Sequence, residues 1–539
     1  MSTHTRSGRR LAAAALALAL AAASLTACGG DDEDAAGATS GTGDPAASQP
    51  ATTGGSWDGV QDTEHTLTVA FATGWTSVDP VNNTAGVRDL SIVRSVYSAL
   101  TQTDENADVH PDVATDWERT ADNEWTFTLR DDVNFPNGEP LDAENVKYNI
   151  ERTLNEAENP SNWITSSISN ITEVKVVEPY KVAIVTQAAD LELPRRLSGV
   201  FLVSKTFAAD HDLKKEALGT GPYNLVSFKP DSEVVFEAKD NYHGGVVPFK
   251  HARFILAADA AAKINGLKAG EIDAANIIDP ADFAQLESAD VVVGAEPSAR
   301  VMLLLFNTYV EELKDVRVRQ AISYGIDREA ITQAFYKGLV GPAQSQMIYD
   351  VYDAHNEDLP VAQYDPEKSK ALLAEAGYGD GITLELLATQ HASIASDEIL
   401  QVIAQQLGEV GITIDLQLVP RSVASERDAS KEVAPAIRYG GFIDTAVVAA
   451  ETLRYIGSTH HQSFTDVPAG YDDAVAAARA ANSEDEKIAK IKEATQLSLD
   501  NQQAVFLWPL PQTFARSADI DWPIRADDYL LPYTMTPAS

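Results

Sequence analysis

The sequence predicts an α/β fold divided into two or three domains. Segments with strand-like and helix-like hydrophobic periodicity alternate along the chain, and turn-forming residues separate them. Residues 382–419 combine a strand, an amphipathic helix and a second strand, the pattern of a crossover unit that joins parallel strands. The chain has 539 residues, more than one hydrophobic core usually supports, which favours several domains.

The first predicted elements lie between residues 65 and 154. HTLTVAFAT (65–73) is rich in β-branched and aromatic residues and predicts a strand, whereas DLSIVRSVYSAL (89–100) has helical spacing. NEWTFTLR (123–130) predicts a second strand. Asp142 is suited to cap the next helix, because a carboxylate accepts hydrogen bonds from the free N–H groups of a first turn. The apolar stripe of that helix consists of Ala143, Val146, Ile150 and Leu154.

Two β-hairpins are predicted next. Residues 172–186 alternate between apolar and polar on both sides of Glu178-Pro179. Residues 223–239 have a similar strand-turn-strand pattern, in which Pro230-Asp231 supplies the turn.

The helix predicted at residues 366–376 has clear signals at both ends. Asp365 is the expected N-cap and Pro366 the first helical residue, while Gly377 follows the end. A repeat of 20 to 50 residues is not visible in the sequence, so a solenoid is not expected.

The N-terminal residues predict export followed by lipidation. Three arginines precede an apolar run from Leu11 to Ala23 that is too short to span a bilayer comfortably. Leu25-Thr26-Ala27-Cys28 resembles a bacterial lipobox, in which cleavage leaves the cysteine as a lipid-modified N-terminus. Residues 1–27 are therefore the expected signal peptide. Residues 28–63 are the expected lipidated cysteine and flexible tether, because their composition buries little apolar surface.

The charge of the chain excludes several classes of partner. The formal net charge is −39 at pH 7, and it becomes −42 when the three arginines of the predicted signal peptide are removed. Such a charge repels nucleic acid and anionic lipid headgroups. Cys28 is the single cysteine, so no intramolecular disulfide is expected.

Five stretches occur in an order typical of one protein family. They are TSVDPV (76–81), HPDVATDWERTADNEWTFTLRDDVNFPNGEPLDAENVKYNIERTL (110–154), LGTGPYNLVSFKPDSEVVFEAKDNYHG (218–244), LKAGEIDAA (267–275) and FNTYVEELKDVRVRQAISYGIDREAI (306–331). Together they resemble the peptide-binding, or family 5, extracellular solute-binding proteins of ABC importers. Each stretch is weak evidence alone, whereas their order along the chain is specific.

The resemblance implies a two-lobed clamp like the type II periplasmic binding proteins, with an extra subdomain in lobe one. Lobe one is expected to comprise residues 64–108, 215–306 and 509–539, with the extra subdomain at 109–214, and lobe two to comprise 307–508. Apolar runs at 301–308 and 503–513 lie where the chain changes lobe and predict two hinge strands. Closure of such a clamp is a population shift set by the affinity of the ligand for the closed state.

Ligand-binding residues are expected on both lobes. The loop TGWTSVDP (73–80) contains Trp75 and Thr76 and follows the first predicted strand, where open α/β sheets present ligand-binding loops. Trp75 packed in a core is the equal alternative. Trp508 in the return hinge strand is a further candidate, although core packing is favoured for this residue.

The segment IRYGGFIDTAVVAAETLR (437–454) occupies the place where relatives carry a loop that holds the ammonium group of a peptide. Gly440 and Gly441 would let a ligand backbone approach closely, and Tyr439 and Phe442 could form walls. The resemblance implies Asp444 as the ammonium partner, but the Asp-Pro pattern of relatives is absent. Arg438 and Arg454 could pair with a ligand carboxylate, or with one of the many acids of the chain.

The sequence predicts neither an enzyme nor a resident cofactor. It contains no G-x-S-x-G elbow and no H-E-x-x-H motif, and His460-His461 is a poor chelating pair because neighbouring residues of a strand point to different faces. The expected partners are a small-molecule or peptide ligand, ABC permease and ATPase subunits, and the membrane through the lipid. A monomer is expected on the outer face of the cytoplasmic membrane, in a bacterium without an outer membrane. Two alternatives remain open: a binding protein for a sugar, opine or metal chelate, and a sensory lipoprotein.

Overall fold

The computed structural model describes residues 59–82, 86–155, 163–230, 232–288, 290–391, 393–428, 434–442, 447–458 and 467–538. Cys28, Asp444 and His460-His461 lie outside these residues, as do the predicted signal peptide and most of the tether. Within the described ranges, no helix is both long and apolar enough to cross a membrane.

The strands of the described residues fall into one large sheet and smaller ones. They are β1 (Asp62–Phe71), β2 (Thr101–Thr103), β3 (Val109–Pro111), β4 (Ala114–Ala121), β5 (Glu124–Leu129), β6 (Ile171–Glu178), β7 (Lys181–Thr186), β8 (Tyr223–Lys229), β9 (Glu233–Ala238), β10 (Phe249–Leu256), β11 (Ala274–Asn276), β12 (Val291–Phe306), β13 (Ile382–Thr389), β14 (Ile412–Val419), β15 (Ile437–Phe442), β16 (Ala504–Ser517), β17 (Ile520–Asp521) and β18 (Thr536–Pro537).

The helices pack on both faces of the large sheet and around the smaller ones. They are α1 (Val87–Val96), α2 (Ala143–Leu154), α3 (Trp163–Ser167), α4 (Leu193–Leu197), α5 (Lys205–Asp210), α6 (Ala260–Ala269), α7 (Phe283–Leu286), α8 (Glu311–Lys314), α9 (Val316–Tyr324), α10 (Arg328–Tyr336), α11 (Pro366–Glu375), α12 (Ser396–Glu409), α13 (Arg421–Asp428), α14 (Ala449–Arg454), α15 (Tyr471–Arg479) and α16 (Glu484–Asp500).

The large sheet is mixed, and two long strands run through its centre. Among the described residues its order is β14-β13-β15-β12-β16-β11-β1-β10-β9-β8. We call β1 and β8–β11, with α1, α6 and α7, the N-terminal half, and β13–β15, with α8–α16, the C-terminal half. The antiparallel strands β12 and β16 pair with each other between Val291 and Leu305. They belong to both halves, because β12 also pairs with β15 and β16 also pairs with β11. The two halves are therefore connected through this central pair.

The predicted local elements are confirmed, except that the helix predicted over residues 89–100 ends at Val96, where the backbone of Tyr97 is extended. Strands β13 and β14 are parallel neighbours joined through α12, as the crossover pattern predicts. The hairpins are β6–β7 and β8–β9, both antiparallel. The first hairpin belongs to a four-stranded sheet, β4-β5-β7-β6, within residues 109–214, which we call the small-sheet region.

The predicted helix caps are also confirmed. Asp142 accepts a hydrogen bond from the backbone N–H of Asn145 at the start of α2. Asp365 accepts one from the N–H of Lys368 in α11, and Gly377 adopts φ +92°, a conformation that most side chains disfavour. These ends form as predicted because their signals are local and need no tertiary contact.

Alternating side chains of β12 separate two cores in the C-terminal half. Met302, Leu304 and Phe306 join one buried cluster with α9, α10 and α12. Val301, Leu303 and Leu305 join another with α14–α16. Both faces of this strand are therefore covered, which explains its continuous apolar sequence.

Strand β12 begins ten residues before the apolar run that predicts it. The added segment, Val291–Arg300, contains Gly294, Glu296 and Pro297, which weaken a strand signal in a sequence. It nevertheless pairs with β16 up to Pro297, and the register shifts between Pro297 and Val301. The lobe boundaries stay a prediction, because the central sheet is continuous across them.

Candidate functional site

The pairing of β12 with β16 shifts in register between Pro297 and Val301. The loops that follow β1 and β15 begin on either side of this shift. Strand β11 lies between β1 and β16, and its Asn276 is opposite Phe514. On the other side, Phe442 at the end of β15 is opposite Val301, which pairs with Pro509. The carboxyl ends of β1 and β15 therefore approach the same part of the sheet, the usual place for ligands in open α/β sheets.

The loop at residues 73–80 is held by two buried carboxylates. Asp89 of α1 accepts hydrogen bonds from the backbone N–H and the hydroxyl of Thr76 at 2.9 and 2.5 Å. Asp79 forms an ion pair with Arg152 of α2 at 2.8 Å. Thr76 itself is exposed, so its side chain stands at the surface of a fixed loop.

Trp75 packs in the core of the N-terminal half. It is 1% exposed, stacks on Phe254 with ring centroids 6.4 Å apart, and contacts Phe71 edge to face at 5.4 Å. Its indole Nε1 has no hydrogen-bond partner among the described residues. This conformation corresponds to the packing alternative for Trp75, and its predicted ligand contact stays a prediction.

Tyr439 and Trp508 lie on the same face of the C-terminal half, next to Met302. Both aromatic side chains are buried, and Trp508 contacts Tyr336 edge to face at 5.9 Å. Burial raises the pKa of Tyr439 to about 12, so the phenol is neutral at physiological pH. In this structure, both residues contribute to a core, and their contact with a ligand stays a prediction.

The two adjacent glycines of β15 face different surroundings. A Cβ atom at Gly441 would lie 2.5 Å from Sδ of Met302, so Met302 occupies the space that the prediction assigns to a ligand backbone. A Cβ at Gly440 would have no atom of the described residues within 4 Å. Gly440 therefore has the open space that a close approach requires. The role of both glycines stays a prediction.

Phe442 and Arg454 already have protein partners. Phe442 stacks on Tyr455. Arg454 pairs with Glu451, which also binds Arg196 and Arg479. Burial would raise the pKa of Glu451, but these three guanidinium groups lower it to about 2. The ligand contacts predicted for Phe442 and Arg454 stay predictions, and Asp444 lies outside the described residues.

A groove of about 630 Å³ lies beside the central strands and is lined by β12 and β16 together with three loop segments, 105–108, 350–351 and 522–526. Its apolar floor includes Phe514 and Trp522, whose rings meet edge to face at 5.8 Å. The lining carboxylates are the exposed residues Glu105, Asp108, Glu296 and Asp350.

The charge of this groove is predominantly negative. The two arginines that line it, Arg516 and Arg525, pair with Asp521 and Asp527 respectively. The arrangement suits a solute with an apolar surface and a positive charge. Sequence reasoning missed this groove because its acids come from separate segments of a chain with 80 acidic residues. No group of three or more potential metal ligands occurs within the described ranges.

The sequence is similar to curated proteins with different ligands. It is 29% identical to the dipeptide-binding protein of Escherichia coli over 308 residues, which cover 52% of this chain and 57% of that protein. It is also 29% identical to the nickel-binding periplasmic protein of E. coli over 342 residues, covering 58% of this chain and 64% of that one. The match thus spans less than two thirds of either relative.

The fold is shared with solved periplasmic binding proteins. The DppA protein of Helicobacter pylori in complex with the peptide STSA aligns with a TM-score of 0.77 at 18% identity, covering 88% of this chain and 98% of that one. The MoaA protein of A. tumefaciens R10 in complex with mannopinic acid aligns with a TM-score of 0.74 at 24% identity, covering 88% and 99%. The predicted fold class, an α/β clamp of the type II periplasmic binding proteins, is confirmed.

The family model of the bacterial extracellular solute-binding proteins, family 5, matches residues 108–460. This range includes the small-sheet region, all of β12 and the C-terminal half through α14. It also includes four of the five stretches that carry the predicted resemblance, all except TSVDPV. The chain therefore belongs to the bacterial extracellular solute-binding proteins of family 5.

Proposed function

We propose that this chain is the substrate-binding lipoprotein of an ABC importer and captures a peptide-like solute between its two halves. The observation that carries the proposal is the groove beside β12 and β16, which is lined by residues of both predicted lobes, among them Glu105 and Glu296 of lobe one and Asp350 of lobe two. The central strands connect the halves, so a change in their relative position would enclose or release a solute. The proposed role is binding and delivery, without catalysis.

A peptide is the preferred solute for two physical reasons. An extended peptide can pair its backbone with the edge of a strand, which gives affinity with little dependence on side chains. The acidic rim of the groove also attracts peptides that carry a positive charge. Its volume of about 630 Å³ lies within the usual range for small-molecule sites.

Native mass spectrometry of the purified full chain tests the ligand class directly. We expect a co-purifying mass that corresponds to one or more short peptides. We also expect that adding a peptide library raises the melting temperature of the protein. Recovery of a sugar or a metal chelate, with no stabilisation by peptides, would refute the peptide assignment while leaving solute capture in place.

A metal chelate or an opine is the second candidate. The nickel-binding relative and the structural neighbour with mannopinic acid support it, because the same fold and family accommodate such ligands. Isothermal titration with Ni(II)-histidine and with an opine separates this candidate from the first. Tight binding of either, with no heat from peptides, would favour it.

Asp444 is proposed to hold the ammonium group of the peptide. Loss of a buried ion pair is costly because the remaining charge stays without a partner. Asp444→Ala should therefore weaken binding of free-amine peptides by more than about tenfold, and should affect N-acetylated peptides little. Asp415→Ala is the control, since Asp415 of β14 contacts Gln417 in its own strand. Equal dissociation constants for both variants would remove Asp444 from the site.

The proposed location is the outer face of the cytoplasmic membrane, with Cys28 as the lipid attachment point. The −42 charge of the mature chain disfavours direct adsorption to anionic headgroups, so a covalent anchor would keep the receptor near its permease. Permease and ATPase genes adjacent to this gene would support import. Their absence would favour a sensory lipoprotein.

A further inference from the structure

A cluster of charged side chains connects the small-sheet region to the C-terminal half, although the residues that meet there are far apart in the sequence. We call it the bridging cluster. On the side of the small-sheet region it contains Asp190, Glu192, Arg195 and Arg196, and on the other side Glu451, Arg454, Arg479 and Lys487.

Arg196 forms the first bridge. Its Nη1 lies 2.5 Å from Oε1 of Glu451, and its Nε lies 3.3 Å from Asp190. The side chains of Arg196 and Asp190 are 1% exposed and that of Glu451 is 6% exposed. Because water does not solvate these charges, each depends on the others for compensation.

Lys487 forms the second bridge. Its ammonium group binds the carboxylate of Glu192, and its side chain is 8% exposed. A third contact supports the same interface at its edge, where Arg119 donates hydrogen bonds to the backbone carbonyl and side chain of Asn482. These contacts of Arg196, Lys487 and Arg119 join the small-sheet region to the C-terminal half within the described part of the chain.

Every charge that crosses the interface also has a partner on its own side. Arg196 has Asp190, and Glu192 has Arg195. In the C-terminal half, Glu451 has Arg454 and Arg479, and Lys487 has Glu484 one turn earlier in α16. Separation of the two surfaces would therefore leave neither with an isolated charge, so the cluster is compatible with a joined and a separated arrangement.

The interface leaves no room for a solute at the cluster itself. The cavity among Glu192, Arg195, Tyr352, Arg479 and Lys487 has a volume of about 20 Å³, enough for roughly one water molecule. The interaction across the interface is thus made by the protein alone.

The small-sheet region packs on the N-terminal half, where its Phe201 and Val203 join the buried cluster of that half and its Arg152 pairs with Asp79. We propose that the bridging cluster is an ionic latch that holds these joined parts against the C-terminal half before a solute binds. The proposal deepens the proposed function, since closure is the step that captures the solute. Such a latch lowers the free energy needed to close the protein, so that the solute binds with a smaller dissociation constant. High salt should weaken it, because ions stabilise the exposed charges of the open form.

Single-molecule FRET on the full chain without solute measures closure directly. The dyes are placed on Val177→Cys in β6 and Lys492→Cys in α16, two exposed positions, in a Cys28→Ser background. We expect a predominantly high-FRET, closed population at low salt. Raising the salt to 1 M should increase the open fraction of the unmodified chain.

Glu451→Gln and Lys487→Gln should each reduce the closed-to-open ratio at least tenfold. Lys490→Gln is the matched control, because Lys490 lies on the same helix but pairs with Glu493 in that helix. Distributions for Glu451→Gln and Lys487→Gln that equal the control would overturn the latch. So would an open population in the unmodified chain at low salt.

A double-mutant cycle with uncharged side chains tests the bridge without placing like charges beside Arg195 or Glu484. Glu192→Gln and Lys487→Gln should each lower the closed-to-open ratio, and the double variant should lower it by clearly less than the product of the two single effects. Effects that simply multiply would refute the bridge between these residues. Since no solute is present, a failed latch leaves solute capture untouched, and absence of solute binding leaves the FRET result unchanged.

Discussion

Gly219 and Gly221 lie directly against the backbone at the end of α1. A Cβ atom at Gly219 would be 2.3 Å from the carbonyl oxygen of Val96, and one at Gly221 would be 2.7 Å from the carbonyl carbon of the same residue. Backbone atoms cannot move aside as the tip of a side chain can. The GTGPY segment (219–223), which leads into β8, thus contains glycine for packing.

Gly219→Ala should lower the free energy of unfolding by about 2 kcal/mol or more through overpacking. Gly408→Ala is the matched control, and it should raise the free energy of unfolding instead of lowering it. Gly408 is exposed in α12, and a Cβ atom there would meet no neighbouring atom of the described residues within 4 Å, so alanine should add about 0.5 to 1 kcal/mol. Urea unfolding followed by circular dichroism measures both, and a Gly219→Ala stability equal to that of the unmodified protein would contradict the packing argument.

Lys239 is a residue whose protonation should alter stability near neutral pH. Its ammonium group donates to the carbonyl oxygens of Gly219 and Gly221, and burial lowers its pKa from 10.5 to about 7. The unfolded chain then binds the proton more tightly than the folded protein between pH 7 and 10. Stability should therefore rise with pH across this range.

The comparison with Lys239→Met isolates that contribution. We expect the free energy of unfolding of the unmodified protein to increase relative to the variant from pH 7 to pH 10. A ¹³Cε titration of the lysines should also contain one resonance with a midpoint near 7. A constant difference between the two proteins would show that Lys239 keeps an ordinary pKa.

Helix α11 illustrates an element whose ends depend on local chemistry alone. Asp365 accepts the N–H of Lys368 at 2.9 Å, and Pro366 needs no donor in the first turn. Asp365→Ala should cost about 1 kcal/mol of stability through loss of the cap. Glu367→Ala on the exposed face of the same helix should change stability by less than about 0.5 kcal/mol. If chemical denaturation gave similar losses of unfolding free energy for Asp365→Ala and Glu367→Ala, Asp365 would have no special capping role.

Elements with local signals could be predicted from the sequence, and elements defined by distant pairing could not. The crossover unit β13-α12-β14 and helix α2 have their periodicity and caps within one short segment. The start of β12 at Val291 depends instead on pairing with β16, more than 200 residues away, which compensates for Gly294 and Pro297. Tertiary pairing thus overrides the weak strand propensity of this segment.

At the scale of the whole molecule, the sequence predicted the family and the clamp but not the charged contacts between its parts. Trp75, Tyr439 and Trp508 stand out in the sequence as large aromatic residues, and the structure packs all three in cores. Glu451 and Lys487 do not stand out, because they are two charges among many until the fold brings them to Arg196 and Glu192. Pairing over 255 and 295 positions leaves no local pattern.

The lipid anchor is the whole-molecule property with the sharpest test. In cells that express the full chain, the protein should sediment with the membranes and incorporate a labelled fatty acid. Cys28→Ser removes the only thiol of the chain, so the fatty-acid label should be lost. Ser24→Ala, four residues earlier, is the control and should retain both properties. Fatty-acid labelling of Cys28→Ser equal to that of the control would contradict the lipoprotein assignment, because the chain has no other cysteine to carry the lipid.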